Sequence, residues 1–223
     1  AKVGCTVWKQ LFRRIMGLED WRAEATKKLL PWNPDINGLK YLYDYDRETA
    51  SRMMTSPEYT RAIFVREPKE RLLSAYLDKG VSNSWFMFTK CCPSNWDCTE
   101  AAKESLSSFF DLIQWCENNH WSSQSRRMQD KYWPYINFVG NMESVATDAE
   151  RLLRQVGAWE EVGKSGWGKA NNMSIFGTKA GGAGRTHATN ARERLHVHYT
   201  PELEKKVDLY YASDDANSVM NIT

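Results

Sequence analysis

The sequence predicts an α/β fold, a single domain with a mostly parallel central sheet flanked by helices. Two observations carry this expectation. Short apolar runs alternate with amphipathic stretches of helical period. The length of 223 residues also suits one large domain with one core, so residues 1–223 are read as one unit of function. A hydrophobic fraction of 42% and a charged fraction of 26% are ordinary for a globular fold. The net charge of +2 lacks the basic bias of a nucleic-acid binder. No apolar run reaches the length of a bilayer-spanning helix. The chain opens on Ala1-Lys2-Val3-Gly4-Cys5, with neither an initiator Met nor a signal sequence, and reads as a domain trimmed at its N-terminus. Its 10 Trp supply flat aromatic surfaces that suit adenine rings and sugars, although most buried Trp fill cores.

The elements follow in order. Residues 5 to 17 read as a helix, with Val7, Leu11, Ile15 and Leu18 on one face. Leu30 to Asp35 is a loop punctuated by Pro31 and Pro34. Thr60 to Arg66 reads as a short buried strand, and Pro68 suits the first turn of a helix running to about Lys79. Residues 80 to 99 are polar, Cys-rich and expected to be loop. A second helix is expected from about Glu100 to Glu117, with Leu106, Phe109, Phe110 and Ile113 in its apolar stripe. Tyr135 to Gly140 is the next strand, and Ser144 to Val156 the next helix. Residues 157 to 190, rich in Gly, Ser, Asn and Lys, are expected to form a mobile loop. The tail from Asn190 to about Ala212 is helical, with a break at Pro201.

Cys5 stands apart, while Cys91, Cys92, Cys98 and Cys116 cluster. Four clustered cysteines can form two disulfides in an oxidising compartment. The neighbours Cys91 and Cys92 are poor partners for each other, which leaves two pairings open. Free thiols and a zinc site are the competing readings, and the spacing lacks paired Cys-x-x-Cys knuckles. Asn172-Met173-Ser174 and Asn221-Ile222-Thr223 are N-glycosylation acceptor tripeptides, which also favour a secretory lumen.

Two stretches carry anion chemistry. Lys2-Val3-Gly4-Cys5-Thr6-Val7-Trp8-Lys9 puts a cation, a flexible Gly and a hydroxyl immediately before a helix. A helix N-terminus exposes unpaired backbone N–H groups and positive partial charge, a ready anion site. An ordinary strand-to-helix turn would look the same. The second stretch runs from Phe64 to Tyr76. Arg66 ends the strand and Ser74 lies two helical turns on, so a planar guanidinium fork and a hydroxyl can address one anion. A surface Arg paired with Glu67 or Glu70 is the plainer reading.

Together these stretches resemble the two motifs that bind 3′-phosphoadenosine-5′-phosphosulfate (PAPS) in Golgi carbohydrate sulfotransferases. That group includes the chondroitin and dermatan 4-O-sulfotransferases and the human natural killer-1 epitope sulfotransferase. The resemblance implies a PAPS-dependent, P-loop-like sulfotransferase fold over residues 1–223. Lys2, Gly4, Cys5, Thr6 and Trp8 would surround the 5′-phosphosulfate, and Arg66 and Ser74 would bind the 3′-phosphate. Asn119-His120-Trp121 and Tyr135 to Glu143 are similar to the family's later segments, as are Tyr199 to Leu203 with Tyr210-Tyr211. Arg185-Thr186-His187 matches a loop that closes over the nucleotide. Two departures stand out: Ala1 replaces the usual Pro, and the cysteines usual after the His-Trp segment are missing. The resemblance also implies a Golgi-lumenal enzyme, membrane-anchored through a segment outside this sequence, with a carbohydrate acceptor and no metal.

Sulfuryl transfer needs a stabilised leaving phosphate and a base for the acceptor hydroxyl. Lys2 is expected to serve the first, with the backbone of Gly4 to Thr6. His120 is expected to be the base, because imidazole is neutral near physiological pH. A packing role for His120 between Trp115 and Trp121 is the alternative, with Glu117, Asp78 and Glu143 as other bases. Ala158 to Ser165 satisfies a permissive Walker A pattern but follows a helix and carries bulky acidic residues, so it reads as fortuitous. Two other functions stay open: sulfation of a phenol, sterol or other small molecule, and non-catalytic binding of sulfated glycans.

Overall fold

The computed structural model describes residues 2–23, 30–93, 95–177 and 189–216. In chain order these form α1 (Cys5–Ile15), α2 (Arg47–Thr55), β1 (Ala62–Val65), α3 (Pro68–Ala75), α4 (Ser84–Lys90) and α5 (Trp96–Glu104). There follow α6 (Leu106–Ile113), β2 (Phe138–Asn141), α7 (Val145–Gln155), α8 (Ala191–His198), α9 (Pro201–Tyr210) and α10 (Ala212–Ala216). The α/β class holds. Among the described residues the parallel sheet has two strands, β1 beside β2. The chain divides into two compact units, one drawn from residues 1–3, 65–129 and 187–223, the other from 4–64 and 130–186.

The first unit packs a cluster of buried side chains. It takes Leu72 and Leu73 from α3, Met87 from α4, Leu106, Phe109 and Ile113 from α6, Trp121, and Leu203 and Val207 from α9. Its helices start where local chemistry dictates. The Glu67 carboxylate accepts from the backbone N–H groups of Lys69 and Glu70 at 3.0 and 2.7 Å, and Pro68 takes the first helical position of α3. Thr200 caps α9 through the Leu203 N–H at 3.2 Å, with Pro201 behind it.

Several expectations change here. Residues 80–99 are not loop, since α4 and the first turn of α5 fall inside them. Asn83 accepts from Phe86 N–H and Asn95 from Cys98 N–H, so each short helix has its own cap. The helix expected over Glu100–Glu117 is two. Ser105 adopts extended angles (φ −154°, ψ 161°) and caps α6 through the Ser108 N–H, which ends α5. Beyond Ala75 the chain widens into a π-turn, Tyr76–Val81, instead of continuing α3 to Lys79. A side chain on Gly80 would meet Tyr76, Phe109 and the Ala102 carbonyl at 3.0–3.3 Å, so glycine lets this turn pack. Of the pairings left open for the cysteines, the one formed is Cys91–Cys116 with Cys92–Cys98.

The second unit has its own buried cluster: Val7, Trp8 and Leu11 of α1, Phe138 of β2, Leu152 and Leu153 of α7, then Trp159, Val162, Trp167 and Ile175. Residues 157–177 are therefore packed rather than loose. Trp159–Gly163 forms a π-turn, Trp167 bridges Met173 in antiparallel fashion, and Trp167 is fully buried. The Walker-like segment lies in this π-turn, where Trp159 and Val162 are core residues. The strand expected from Tyr135 starts only at Phe138, because Asp130–Tyr135 is a 3-10 turn containing Pro134. Asn172 is exposed, while Asn221 lies outside the described residues.

Candidate functional site

The first unit gathers the charged groups that chemistry of anions needs. Lys2 has a left-handed backbone (φ 66°), unusual for a residue with a side chain. Its ammonium is almost fully buried and lies 2.9 Å from Asp78 Oδ2. Lys79 reaches the same oxygen at 3.2 Å. The π-turn presents Asp78 and Lys79 side by side, and this is the turn that Gly80 allows. Burial lowers the Lys2 pKa, Asp78 opposes the shift, and the positive charges of Lys79 and Arg66 add to it. Burial alone would raise the Asp78 pKa, but Lys2 and Lys79 overcome it and hold the carboxyl at about 2. Asp78 Oδ2 is thus taken up by two ammonium groups, which makes Asp78 the partner of Lys2 and Lys79 in this arrangement.

Arg66 sits one residue past β1. Its backbone N–H donates to Gln124 Oε1 at 3.0 Å, and Gln124 Nε2 donates back to the Arg66 carbonyl at 2.8 Å. The guanidinium lies 3.5 Å from Glu70 Oε2 and donates to the Lys2 carbonyl at 3.4 Å. Arg192 of α8 approaches the other Glu70 oxygen at 3.4 Å. Lys2 and Arg66 are therefore joined directly. Ser74 is buried on α3, and its hydroxyl accepts from Thr189 Oγ1 at 3.0 Å.

His120 is half-buried in the same unit. Asn118 Oδ1 accepts the His120 backbone N–H at 3.0 Å and lies 2.6 Å from Nδ1. A backbone N–H can only donate, so the Asn118 atom is the oxygen, Nδ1 carries the ring proton and the lone pair rests on Nε2. The ring meets Phe86 edge-on at 5.2 Å, and Lys79 Nζ lies 5.1 Å over Phe86. The segment around it is fixed by buried groups. Arg71 donates to the carbonyls of His120, Trp121 and Ser122, and Asp214 accepts from the N–H groups of Gln124 and Ser125. Neither Arg71 nor Asp214 is expected from the sequence, since both act across long separations in the chain. Asn118 could have been found from its spacing, an Asn two residues before a His being a local turn former.

Burial, with Lys79 and Lys2 adding, pushes the His120 pKa down to about 3. An unfolded histidine titrates near 6.5. Between those values the unfolded chain binds a proton that the folded chain refuses, so stability rises with pH through the window and falls as acid is added. The thermal midpoint should drop between about pH 7 and about pH 4.5, and drop less in His120→Gln. Equal drops in the two proteins, measured by calorimetry, would contradict a histidine held neutral.

The second unit holds the other residues of the first motif. Gly4 precedes α1 with φ 72°, and a Cβ there would meet the Phe176 ring at 3.2 Å. No acidic residue lies in the first turn of α1. Thr6 Oγ1 accepts from Trp32 Nε1 at 3.2 Å. Cys5 is a free thiol. Trp8 is a core residue, 4.5 Å from Phe64 and 5.2 Å from Phe176. Arg185 and Thr186, expected to touch nucleotide, lie outside the described residues.

A model of the Sulfotransferase family matches residues 1–215. Carbohydrate sulfotransferase 8 of Mus musculus is 30% identical over 70% of this chain and 40% of its own length. The protein of that name from Homo sapiens is 29% identical over 70% of the chain and 39% of its own length. Carbohydrate sulfotransferase 9 of Homo sapiens is 27% identical over 94% of the chain and 47% of its own length. The chain thus spans less than half the length of the curated relatives it matches. No solved structure matches it.

Proposed function

The chain belongs to the sulfotransferase family, and from that premise we propose that it is the catalytic domain of a PAPS-dependent carbohydrate sulfotransferase. The family match runs through both compact units, which supports reading residues 1–223 as one domain of function. One observation carries the proposal furthest: Lys2, Lys79 and Arg66 draw together beside a neutral histidine whose Nε2 holds a lone pair. Lys2 and Lys79 on the shared Asp78 carboxylate, with Arg66 on the Lys2 carbonyl, suit a polyanionic donor better than a neutral one.

PAPS supplies the sulfuryl group when bound. Arg66 and Ser74 would hold its 3′-phosphate, with Arg185 and Thr186 taking the roles that the motif resemblance implies. Lys2 would neutralise the 5′-phosphate as the bond from its oxygen to sulfur breaks; the resemblance gives Gly4, Cys5, Thr6 and Trp8 a part in holding the phosphosulfate, although Cys5, Thr6 and Trp8 belong to α1 and the Trp8 ring packs on Phe64 and Phe176. His120 Nε2 would take the acceptor proton as the new oxygen–sulfur bond forms. No step requires a metal. The acceptor is a carbohydrate hydroxyl, consistent with relatives named carbohydrate sulfotransferases.

The compartment is proposed to be the Golgi lumen. The family resemblance, the two disulfides and the exposed Asn172 acceptor sequence support it. Among the described residues no helix is long and apolar enough to cross a membrane; the membrane anchor is proposed, from the resemblance alone, to lie in chain outside this sequence.

The acceptor class is tested by presenting labelled PAPS with a panel of unsulfated glycans beside a panel of phenols and sterols. Transfer to glycans is the expected result. Transfer only to phenols or sterols would replace the carbohydrate reading, and tight nucleotide binding with no transfer to either panel would point to a non-catalytic homologue.

A further inference from the structure

We propose that Lys79 is a further catalytic residue, the cation that stands on the outer oxygens of the sulfuryl group while that group passes from donor to acceptor. The proposal rests on the sulfotransferase reading above and gives a role to a residue outside both anion motifs.

Lys79 lies between the two ends of the reaction. On one side it shares Asp78 Oδ2 with Lys2, at 3.2 Å against 2.9 Å. On the other it shares the Phe86 ring with His120. Lys79 Nζ stands 5.1 Å from the centre of that ring, and the imidazole meets the same ring edge-on at 5.2 Å. Lys2 is the group assigned to the leaving phosphate, and His120 the group assigned to the acceptor hydroxyl. The electrostatics agree with this placement. After burial, Lys79 is the charge that lowers the His120 pKa most, and Lys2 comes next. One ammonium thus neighbours both groups.

That ammonium is held in place and has capacity left. The π-turn Tyr76–Val81 that carries it is closed by Ser82, whose N–H and hydroxyl both donate to the Leu77 carbonyl, at 3.2 and 2.8 Å. The Lys79 side chain is only 14% exposed, so little water screens its charge. A lysine ammonium has three N–H donors. Among the described residues one carboxylate oxygen and one ring face hold it, which leaves a donor for an incoming oxygen.

The chemistry calls for such a group. Sulfur in transit carries three outer oxygens between the oxygen it leaves and the oxygen it meets, and charge is spread over them. A cation fixed beside that path lowers the barrier without being reorganised at the moment of reaction. A lysine needed only to neutralise Asp78 would be redundant, since Lys2 already pairs with that carboxylate.

The test compares Lys79→Met and Lys79→Arg with wild type. Methionine keeps a flexible stem against Phe86 and removes the charge. Single-turnover sulfation should fall about 10²–10³-fold in Lys79→Met, the order seen when one donor to a developing negative charge is removed. Lys79→Arg, which keeps the charge, should stay within about tenfold of wild type. Affinity for 3′-phosphoadenosine 5′-phosphate, which lacks the sulfuryl group, should change by no more than about threefold in either variant. That result also certifies folding. The slowing cannot come from a weakened base, because loss of Lys79 removes a charge that makes His120 less basic. Orthovanadate gives a second readout without turnover, since its five-coordinate form has the shape of sulfur in transit. Wild type saturated with 3′-phosphoadenosine 5′-phosphate should bind it at least about tenfold more tightly than Lys79→Met does.

A Lys79→Met enzyme working at the wild-type rate would overturn the proposal, as would equal vanadate binding. A raised acceptor KM as its only defect would overturn it too, and would place Lys79 on a charge of the acceptor itself. If wild type binds no 3′-phosphoadenosine 5′-phosphate, the sulfotransferase reading fails and takes Lys79 with it. If wild type binds the nucleotide but sulfates no acceptor offered, the vanadate comparison alone decides for or against Lys79.

Discussion

His120→Ala is expected to slow single-turnover sulfation by about 10²–10⁴-fold, the usual worth of a positioned general base, with PAPS affinity little changed. The expectation comes from how the ring is fixed. Asn118 holds Nδ1 as a donor, which leaves the lone pair on Nε2, while Arg71 pins the backbone carbonyl of the same residue. The low pKa of about 3 keeps the imidazole neutral, and part of that shift comes from Lys79 and Lys2. Burial is the larger cause, and a bound polyanion would offset only the share that comes from those two charges. The measurement is single-turnover transfer at saturating PAPS and acceptor, on protein shown to be folded. A folded His120→Ala enzyme working near the wild-type rate would falsify the base assignment and turn attention to Glu117 and Glu143. A purely structural histidine predicts a different pattern, a lower melting temperature with activity falling in step with the folded fraction.

Arg66→Ala should weaken binding of PAPS and of its desulfated product alike, by about 10–100-fold. That is the range for charge-assisted hydrogen bonds worth about 1.5–3 kcal/mol. Arg66→Lys should recover only part of the loss, because an ammonium keeps the charge without the planar fork. The side effects on the fold should be modest. Glu70 retains Arg192 at 3.4 Å, and the paired backbone bonds between Arg66 and Gln124 do not involve the guanidinium. Wild-type affinity in titration calorimetry would remove Arg66 from the site.

The parts of the site legible in the sequence are those that chemistry keeps local. Pro68 after Glu67 announces α3, and Arg66 and Ser74 are read from their places at its two ends. The Lys2–Asp78–Lys79 cluster is different: 76 residues separate Lys2 from Asp78, and only the π-turn brings them together. Nothing in a one-dimensional pattern encodes that pairing. The reading of residues 80–99 as loop gave weight to polarity and cysteines over Asn83 and Asn95, which have the character of helix caps. Ser105 misled in the opposite way, since a serine inside an apolar period reads as a tolerated helix residue until its angles reveal a cap. Trp8 illustrates the remaining difficulty. An aromatic beside a phosphate-loop pattern invites a ligand role, yet its ring packs on Phe64 and Phe176. Within α/β, the two-stranded extent of the sheet among the described residues is not legible either. Strand-like apolar runs near 62 and 138 were found, but sequence alone does not count the strands that pair.

The central claim, that the chain is built for a 3′-phosphorylated sulfate donor, is tested most directly by calorimetric titration of the unaltered protein. One titrant is 3′-phosphoadenosine 5′-phosphate and the other is adenosine 5′-phosphate, which lacks only the 3′-phosphate. Lys2, Lys79 and Arg66 predict that the first binds at least about tenfold more tightly, the equivalent of about 1.4 kcal/mol, and that the preference shrinks in Arg66→Ala. Equal affinity for the two nucleotides, or no binding of either, would contradict the account.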